Sequence, residues 1–344
     1  MGTRNRGAAT GNSDVGAGRG VVFIGPSDPA CRSAVEQFAR GTEGRSVTLC
    51  DSRPDLVEPW ARALGEHVSV SALDPGDHHA LCAAVEAAAL VVLGAPPCPR
   101  VTAAVRAACI DMKVPYLDLH GDVESTRSAL ATLARRAEEA GVPLFIGCGA
   151  FPGMNNVLVV DAARELDSVE TIDMLWTSSE QSRADRPAVE RLLSAATAAP
   201  AHHGPPSGPG VGARADLGGG DGAYTEQRAH PARITMPRRF PAAARIRTAG
   251  RPGSGLLVRV AGTYDGDPAV VIRRTPGGGE GVTPLGNATV LAGTACAAFV
   301  TLALDRAAQW KGALAPEDWA DPEAFYTAME NVGVHPADIV ETVV

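Results

Sequence analysis

Six short apolar runs separated by alanine-rich stretches dominate the first half of the sequence. The runs span three to five residues, and most end at a glycine or an aspartate, as expected for parallel strands buried on both faces. The stretches between them repeat apolar residues at helical spacing. This alternation predicts an α/β fold with a Rossmann-type, doubly wound parallel sheet. The predicted strands lie at residues 21–24, 47–50, 68–70, 90–93, 115–118 and 143–147.

Changes in composition divide the chain of 344 residues into four parts. Residues 1–18 are rich in Gly, Ala and Arg, which predicts a disordered N-terminal tail, and residues 19–149 hold the predicted Rossmann domain. Residues 150–288 predict a second, α+β domain, and a Gly/Pro-rich mobile loop over residues 200–222 interrupts it. Residues 289–344 predict C-terminal helices that pack back on the core.

The second domain contains segments of both strand and helix character. Its β-branched segments are expected to pair as a mostly antiparallel sheet, with helices beside it. The predicted strands are residues 168–177, 234–236, 256–264 and 269–274, and the predicted helices are residues 157–166 and 187–199.

The charge balance narrows the possible partners. The net charge of -8 has no compensating basic block, which argues against nucleic acid or an anionic membrane surface and favours a small-molecule substrate. No apolar run reaches the roughly 18 residues of a membrane span. Seven cysteines are scattered singly without a CxxC pair, so no metal site is predicted, and a cytoplasmic protein with reduced thiols is expected.

The loop after the first predicted strand reads Gly25-Pro26-Ser27-Asp28-Pro29-Ala30. In a dinucleotide-binding fold, the positions of Gly25, Ser27 and Ala30 are those that hold the pyrophosphate. Ser27 places a side chain where glycine lets the backbone come close, and each proline removes an amide donor. The sequence therefore predicts a phosphate loop with fewer donors than usual.

Asp28 followed by Pro29 also predicts a helix N-cap with proline at the first helical position. A capping carboxylate would occupy the amides, and offset the positive helix end, that otherwise receive phosphate. Two interpretations remain open: weak or unusual dinucleotide binding, and a Rossmann-shaped domain that no longer binds dinucleotide.

Further candidate cofactor contacts follow the second and fourth strands. Asp51 closes the second strand, where an acidic residue accepts the ribose hydroxyls, and this favours NAD over NADP. Arg53 fits a 2'-phosphate or an adenine ring instead, and a solvated turn also explains both residues. Gly94, Ala95 and Pro96 follow the fourth strand, where the chain skirts a bound cofactor.

Three polar residues at the end of the fifth strand are the candidate catalytic group. Strand periodicity places Tyr116, Asp118 and His120 on one face. A histidine beside a carboxylate is suited to relaying a proton. A structural hydrogen bond is the alternative explanation for the same pair.

The segment Gly147-Cys148-Gly149-Ala150-Phe151-Pro152-Gly153-Met154-Asn155-Asn156 resembles the saccharopine dehydrogenase-like reductases. The likeness covers roughly residues 20–180, and residues 294–319 are similar to the C-terminal end of that family. Ser27 departs from the family pattern, which has glycine there. Shorter similar segments lie at residues 21–30, 47–53, 91–97, 114–118 and 140–143.

The resemblance implies a first domain that binds NAD or NADP and a second domain that covers the cleft and forms a homodimer. It also implies oxidation or reduction of a C–N bond in amines made from amino acids or polyamines. The link between the domains would face both cofactor and substrate. The resemblance assigns the substrate contacts to Phe151, Pro152, Gly153, Met154 and Asn155.

The leading hypothesis is therefore an NAD(P)-dependent oxidoreductase that acts on an imine or amine in specialised metabolism. A second hypothesis keeps the fold and drops net redox, as in a lyase, isomerase or cyclase. A third is a non-catalytic partner that retains the fold as a scaffold.

Overall fold

The computed structural model describes residues 20–41, 44–177, 187, 230–250, 255–276 and 287–343. The predicted tail, the predicted loop over residues 200–222 and all of the predicted helix at 187–199 except residue 187 lie outside the described residues.

The first sheet has seven parallel strands in the order β11-β6-β5-β4-β1-β2-β3. All six predicted strands are present in the order of a doubly wound nucleotide-binding sheet, so the predicted fold class is confirmed. The seventh strand comes from the C-terminal region and was not predicted. It has three residues, and its pairing with β6 depends on tertiary structure. The strands are β1 (Val21–Ile24), β2 (Val47–Asp51), β3 (Val68–Ala72), β4 (Leu90–Leu93), β5 (Tyr116–Asp118), β6 (Pro143–Phe145) and β11 (Gly312–Leu314).

Helices cover both faces of this sheet because its strands are apolar on both sides. In β1, Val21 and Phe23 join one buried cluster, whereas Val22 and Ile24 join the other. The helical stretch between β5 and β6 consists of two helices separated by a π-helical turn at Ala129–Leu133. The helices are α1 (Pro29–Gly41), α2 (Pro54–Ala61), α3 (His78–Glu86), α4 (Pro99–Met112), α5 (Val123–Ser128) and α6 (Ala134–Ala140).

The second sheet has the order β12-β10-β9-β7-β8 and is mostly antiparallel, as predicted. Among the described residues of this sheet, β7 and β8 are the one parallel pair. The helix α7 (Met154–Ala163) leads from the first sheet into the second and is buried on nearly all sides. The strands are β7 (Ser168–Thr177), β8 (Arg245–Gly250), β9 (Gly255–Tyr264), β10 (Asp267–Arg274) and β12 (Glu341–Thr342).

The predicted strand at residues 234–236 is wrong, because this segment belongs to the helix α8 (Ala232–Arg239). Ala232, Thr235 and Met236 are its buried residues, and their spacing places them on one helical face. Burial of that face outweighs the strand preference of the β-branched pair at 234–235.

Three C-terminal helices complete the fold: α9 (Ala288–Arg306), α10 (Pro316–Trp319) and α11 (Pro322–Asn331). The helical run Ala288–Gln309 is long and apolar enough to cross a bilayer by length and composition alone, and no other such run occurs among the described residues. Its apolar side chains are buried in the larger core cluster, as in the central helix of a globular domain. Gly293 allows the close packing on α1, because a Cβ there would lie 2.5 Å from Ser33 Cβ.

Candidate active site

The loop after β1 turns at Gly25, which has a φ of +79°. A Cβ at this position would lie 2.6 Å from Ala95 Cβ, so glycine is required both for the turn and for the approach of the loop after β4. Gly94 has a similar role, since a Cβ there would lie 2.1 Å from Cys31 Sγ. Gly25 and Gly94, both predicted to contact the cofactor, are thus also required by the packing of the protein itself.

Asp28 caps α1, as the sequence predicts. Its Oδ1 accepts hydrogen bonds from the amides of Ala30 at 2.9 Å and Cys31 at 3.0 Å. The amide of Asp28 itself donates to the Gly25 carbonyl at 3.2 Å. The helix end that would attract phosphate is therefore occupied by a carboxylate from the same chain.

Ser27 and Asp51 account for the rest of the loop. The Ser27 amide and hydroxyl both donate to Asp51 Oδ2, at 3.3 Å and 2.7 Å. The Arg53 amide donates to Asp51 Oδ1 at 3.0 Å, and Asp51 is only 6% exposed. The carboxylate that the sequence assigns to ribose hydroxyls is thus buried and bonded within the protein. The solvated turn, which was the alternative explanation, describes Arg53, which is exposed, but not the buried Asp51.

No amide of this loop remains for a ligand. Pro26 and Pro29 have none, the amide of Gly25 donates to the Cys50 carbonyl at 2.9 Å, and the other amides up to Cys31 have the partners given above. A dinucleotide pyrophosphate is held by free loop amides at a helix N-terminus. The loop as folded lacks those donors.

His120 contacts Asp28 and not Asp118, its predicted partner. Its Nε2 lies 3.3 Å from Asp28 Oδ1, and the two side chains are 27% and 13% exposed. Burial raises the pKa of Asp28, but the hydrogen bonds from His120 and from the Cys31 amide outweigh it, so the net pKa is lowered. Because a carboxylate can only accept, Nε2 carries the hydrogen and Nδ1 is the nitrogen that can take up a proton.

The assignment of Tyr116 and Asp118 as catalytic residues is corrected by their burial. They are 0% and 1% exposed and do share one face, with the Tyr116 hydroxyl donating to Asp118 Oδ2 at 2.9 Å. Arg106 of α4 donates to the same oxygen at 2.6 Å, and the Gly147 amide donates to Oδ1 at 2.6 Å. A buried guanidinium needs a counter-ion, and Asp118 provides it. Both residues are structural.

The Asp28–His120 pair lines a cavity of about 300 Å³, at the small end of the range for ligand pockets. Besides the start of α1, the walls are Pro97, residues 119–121, residues 150–152, Trp176 near the end of β7 and the first two turns of α9. Of the residues predicted to hold cofactor, only Ala30 lines it. Ser27 and Asp51 do not line it: Asp51 is buried, and Ser27 is exposed outside the cavity.

The segment Gly147–Asn156, here called the linker, contributes some residues to the cavity wall and others to the packing of the backbone. Phe151 and Pro152 line the cavity, and the Phe151 ring lies 5.3 Å from the Trp176 ring and 4.3 Å from the His230 ring. Gly153 has a φ of +135°, and a Cβ there would meet Gly149 O at 1.8 Å.

Two further residues of the linker do not fit their predicted role as substrate contacts. Met154 and Asn155 are fully buried in the first turn of α7. Asn155 Nδ2 lies 4.0 Å from Met174 Sδ, inside the protein. The first turn of α7 faces the core because this helix is enclosed on nearly all sides.

Glu317, a buried carboxylate that was not predicted from the sequence, is bonded to the last residue of the linker. Asn156 Oδ1 accepts from the Gly153 amide at 3.2 Å, and Asn156 Nδ2 donates to Glu317 Oε2 at 2.6 Å. Glu317 is 3% exposed, and burial raises its pKa to about 7. His230 is also buried, which lowers its pKa to about 3 and keeps the ring neutral.

No group of three or more His, Cys, Asp or Glu side chains is placed to hold a metal ion in the part of the chain that the structure describes.

Comparisons with known proteins identify the fold. No protein-family model matches the chain. A solved structure of saccharopine dehydrogenase (L-Glu forming) from Saccharomyces cerevisiae matches over 95% of this chain and 100% of its own, with a TM-score of 0.63 and 11% identity. The chain has the saccharopine dehydrogenase fold.

Two other dehydrogenase structures share this fold at lower similarity. DAP dehydrogenase from C. glutamicum, in complex with DAP, matches over 90% of this chain and 95% of its own, with a TM-score of 0.51 and 14% identity. A mutant meso-DAP dehydrogenase from Clostridium tetani E88 has the same coverage, a TM-score of 0.50 and 10% identity. The architecture is thus one that dehydrogenases use.

The dinucleotide implied by the family resemblance does not fit this phosphate loop. A pyrophosphate at the start of α1 would meet the Asp28 carboxylate where it needs amide donors, and it would face like charge there. The ribose acceptor, Asp51, is already bonded to Ser27. The dehydrogenase fold is retained here without an open dinucleotide cradle.

Proposed function

We propose that this chain is an enzyme that carries out proton-transfer chemistry without net redox on a small metabolite, as a lyase, isomerase or cyclase. One observation carries the proposal: the Asp28–His120 pair lines the cavity at the loop end that would otherwise hold pyrophosphate. A carboxylate and an imidazole in contact at a partly buried site form a general base with an orienting partner.

The pair supports the following chemistry. His120 Nδ1 accepts a proton from the substrate, and the Asp28 carboxylate stabilises the imidazolium that forms. The imidazolium returns the proton to another atom of the substrate. The substrate keeps all its electrons, so no oxidant or reductant is required. A positioned base of this kind accelerates a reaction by about 10²- to 10⁴-fold.

The second candidate is an NAD(P)-dependent oxidoreductase that acts on a C–N bond of a small amino-acid-derived metabolite. The dehydrogenase fold and the retained glycine turn at Gly25 favour it. It requires Asp28 and Ser27 to leave their present partners before a pyrophosphate can bind, so it is the less well supported of the two.

Calorimetric titration of the full-length protein with NADH and NADPH separates the candidates. We expect no saturable binding up to millimolar cofactor. The double substitution Ser27→Gly with Asp28→Gly frees amides and removes the charge, and should tighten dinucleotide binding by at least about tenfold. Asp77→Gly, which removes the equivalent cap of α3, is the matched control and should not. Saturable binding by the unaltered protein, with hydride transfer to an imine, would establish the second candidate.

Deuterium incorporation tests the proton transfer directly. The protein is incubated in D₂O with a panel of small amines and imines, and the products are analysed by mass spectrometry. We expect one member to take up deuterium without loss or gain of two hydrogens, and His120→Gln to abolish the uptake. Turnover that depends on added NAD(P) would contradict the proposal.

A further inference from the structure

We infer that the cavity beside Asp28 and His120 selects an organic cation, meaning a protonated amine or quaternary ammonium group on a flat apolar body, and rejects ligands with a free carboxylate. The inference rests on the proposed function, because both place the ligand in this cavity. It adds the charge class of the ligand, which the proposed function leaves open.

The charges on the cavity wall carry the first step. Among the described residues that line the cavity, Asp28 is the acidic one, His120 is the other titratable one, and no lysine or arginine is present. The pair carries a net charge of minus one or zero, depending on whether the imidazole is protonated. A carboxylate that entered would lose its hydration and find no lysine or arginine among the described lining residues, and a protonated His120 would already be paired with Asp28.

The hydrogen bonds of Asp28 leave one of its oxygens available. The amides of Ala30 and Cys31 and the ring of His120 all reach Oδ1. No hydrogen bond from the described residues reaches Oδ2. Since Asp28 lines the cavity, Oδ2 is the atom that can accept from a ligand N–H or pair with a ligand cation.

The aromatic part of the wall points to the same ligand class. Phe151 and Trp176 both line the cavity, and their ring centroids lie 5.3 Å apart at 56°. The face of an aromatic ring carries negative potential and attracts a cation within about 6 Å. The remaining wall is mostly alanine, proline and leucine, which suits an apolar ligand body. A carboxylate together with two aromatic rings in the cavity wall suits a cation.

Three probes of similar size and different charge test the inference: benzylamine, benzyl alcohol and benzoate. Each is titrated calorimetrically into the full-length protein at neutral pH. We expect benzylamine to bind at least about tenfold more tightly than benzyl alcohol, and benzoate not to saturate. Absence of saturable benzylamine binding, or benzoate binding of equal strength, would overturn the inference.

Two variants assign the preference to the Asp28 charge. Asp28→Asn keeps an N-cap acceptor and removes the charge, so it should bind benzylamine and benzyl alcohol equally. Asp77 caps α3 in the same way, with Oδ1 accepting from His79 and Ala80 amides, but it is exposed and away from the cavity. Asp77→Asn should retain the full preference. A preference that survives in Asp28→Asn would contradict the role of this carboxylate.

The substitution His120→Gln separates this inference from the proposed function. It removes the base and leaves the Asp28 charge and both rings in place, so deuterium uptake should be lost while the benzylamine preference remains. Loss of the preference in the unaltered protein with continued deuterium uptake would refute the ligand class alone. Benzylamine binding without any deuterium uptake would refute the proposed function alone.

Discussion

Two buried carboxylates accept hydrogen bonds from the two ends of the linker, and they differ in their partners. Asp118 accepts from the Gly147 amide and from the guanidinium of Arg106, which is itself 2% exposed. Glu317 accepts from Asn156 Nδ2, and no ion pair to it occurs among the described residues. One carboxylate is therefore compensated by a full charge and the other by neutral donors only.

The comparison shows how the same kind of burial has two outcomes. A carboxylate with a buried guanidinium beside it is held as an anion by that charge. Without one, burial dominates and favours the protonated form, which is why the pKa of Glu317 rises to about 7. The adjacent Asp318 adds to the rise by repulsion. The contribution of Glu317 to folding stability should thus depend on pH near neutrality.

Arg106→Met, which removes the counter-ion of Asp118, should cause the largest loss of folding stability. The substitution leaves the Asp118 carboxylate buried with only the Tyr116 hydroxyl and the Gly147 amide as donors. Removing one partner of a buried ion pair costs about 3–5 kcal/mol of folding free energy. Urea unfolding followed by circular dichroism measures this loss.

The control for that prediction is an exposed ion pair between an arginine and a carboxylate. Arg135 pairs with Glu139 at 2.6 Å, with side chains 85% and 61% exposed. Arg135→Met should change stability by less than about 1 kcal/mol. If Arg106→Met were as mild as this control, Asp118 would not depend on its guanidinium, and the two carboxylates would be equivalent.

Glu317→Gln should remove the pH dependence of folding stability that this buried carboxylate causes. The folded pKa is raised from 4.5 to about 7, so the folded state binds more protons than the unfolded state between these values. Stability contributed by the protonated group is full below pH 4.5 and declines by about 3 kcal/mol as the pH rises to 7. The glutamine variant should not show this decline, and above pH 7 it should be more stable than the unaltered protein.

Urea unfolding at a series of pH values from 4 to 8 measures the decline, and Glu323→Gln is the matched control. Glu323 lies nearby at the start of α11 and is exposed, so its substitution should leave the pH profile unchanged. An unaltered protein whose stability is flat across this range would show that Glu317 is ionised on both sides of neutrality and would remove the difference between the two carboxylates.

The sequence predicted the sheet better than it predicted the site, for physical reasons. Buried parallel strands such as Val21–Ile24 are continuous apolar runs, a signal carried by neighbouring residues, whereas β11 is three residues long and depends on its partner. The cap at Asp28 was predictable because it is local, with its acceptor two and three residues from its donors. The Asp28–His120 contact joins residues 92 positions apart.

Even so, two signals for the site were present in the sequence. The loops after β1 and β5 both lie at the carboxyl edge of a parallel sheet, which brings Asp28 and His120 to the same side. Arg106 lies within an apolar helix face, and a charge there requires a buried partner. That requirement points to Asp118 as a counter-ion instead of a catalyst. Glu317 gave no such signal, because its burial depends on the packing of α10 against α7 and α8.

Tyr116→Phe, which removes one neutral donor from Asp118, should cause the smallest loss of folding stability. It removes the hydroxyl that donates to Asp118 Oδ2 and keeps the ring, which lies under the Arg106 guanidinium at 5.4 Å. Asp118 retains Arg106 and the Gly147 amide, so the loss should be about 1 kcal/mol, the value of one hydrogen bond. Urea unfolding followed by circular dichroism measures this loss. A loss as large as that of Arg106→Met would mean that the Tyr116 hydroxyl stabilises Asp118 as much as the guanidinium does, so that the ion pair alone would not distinguish Asp118 from Glu317.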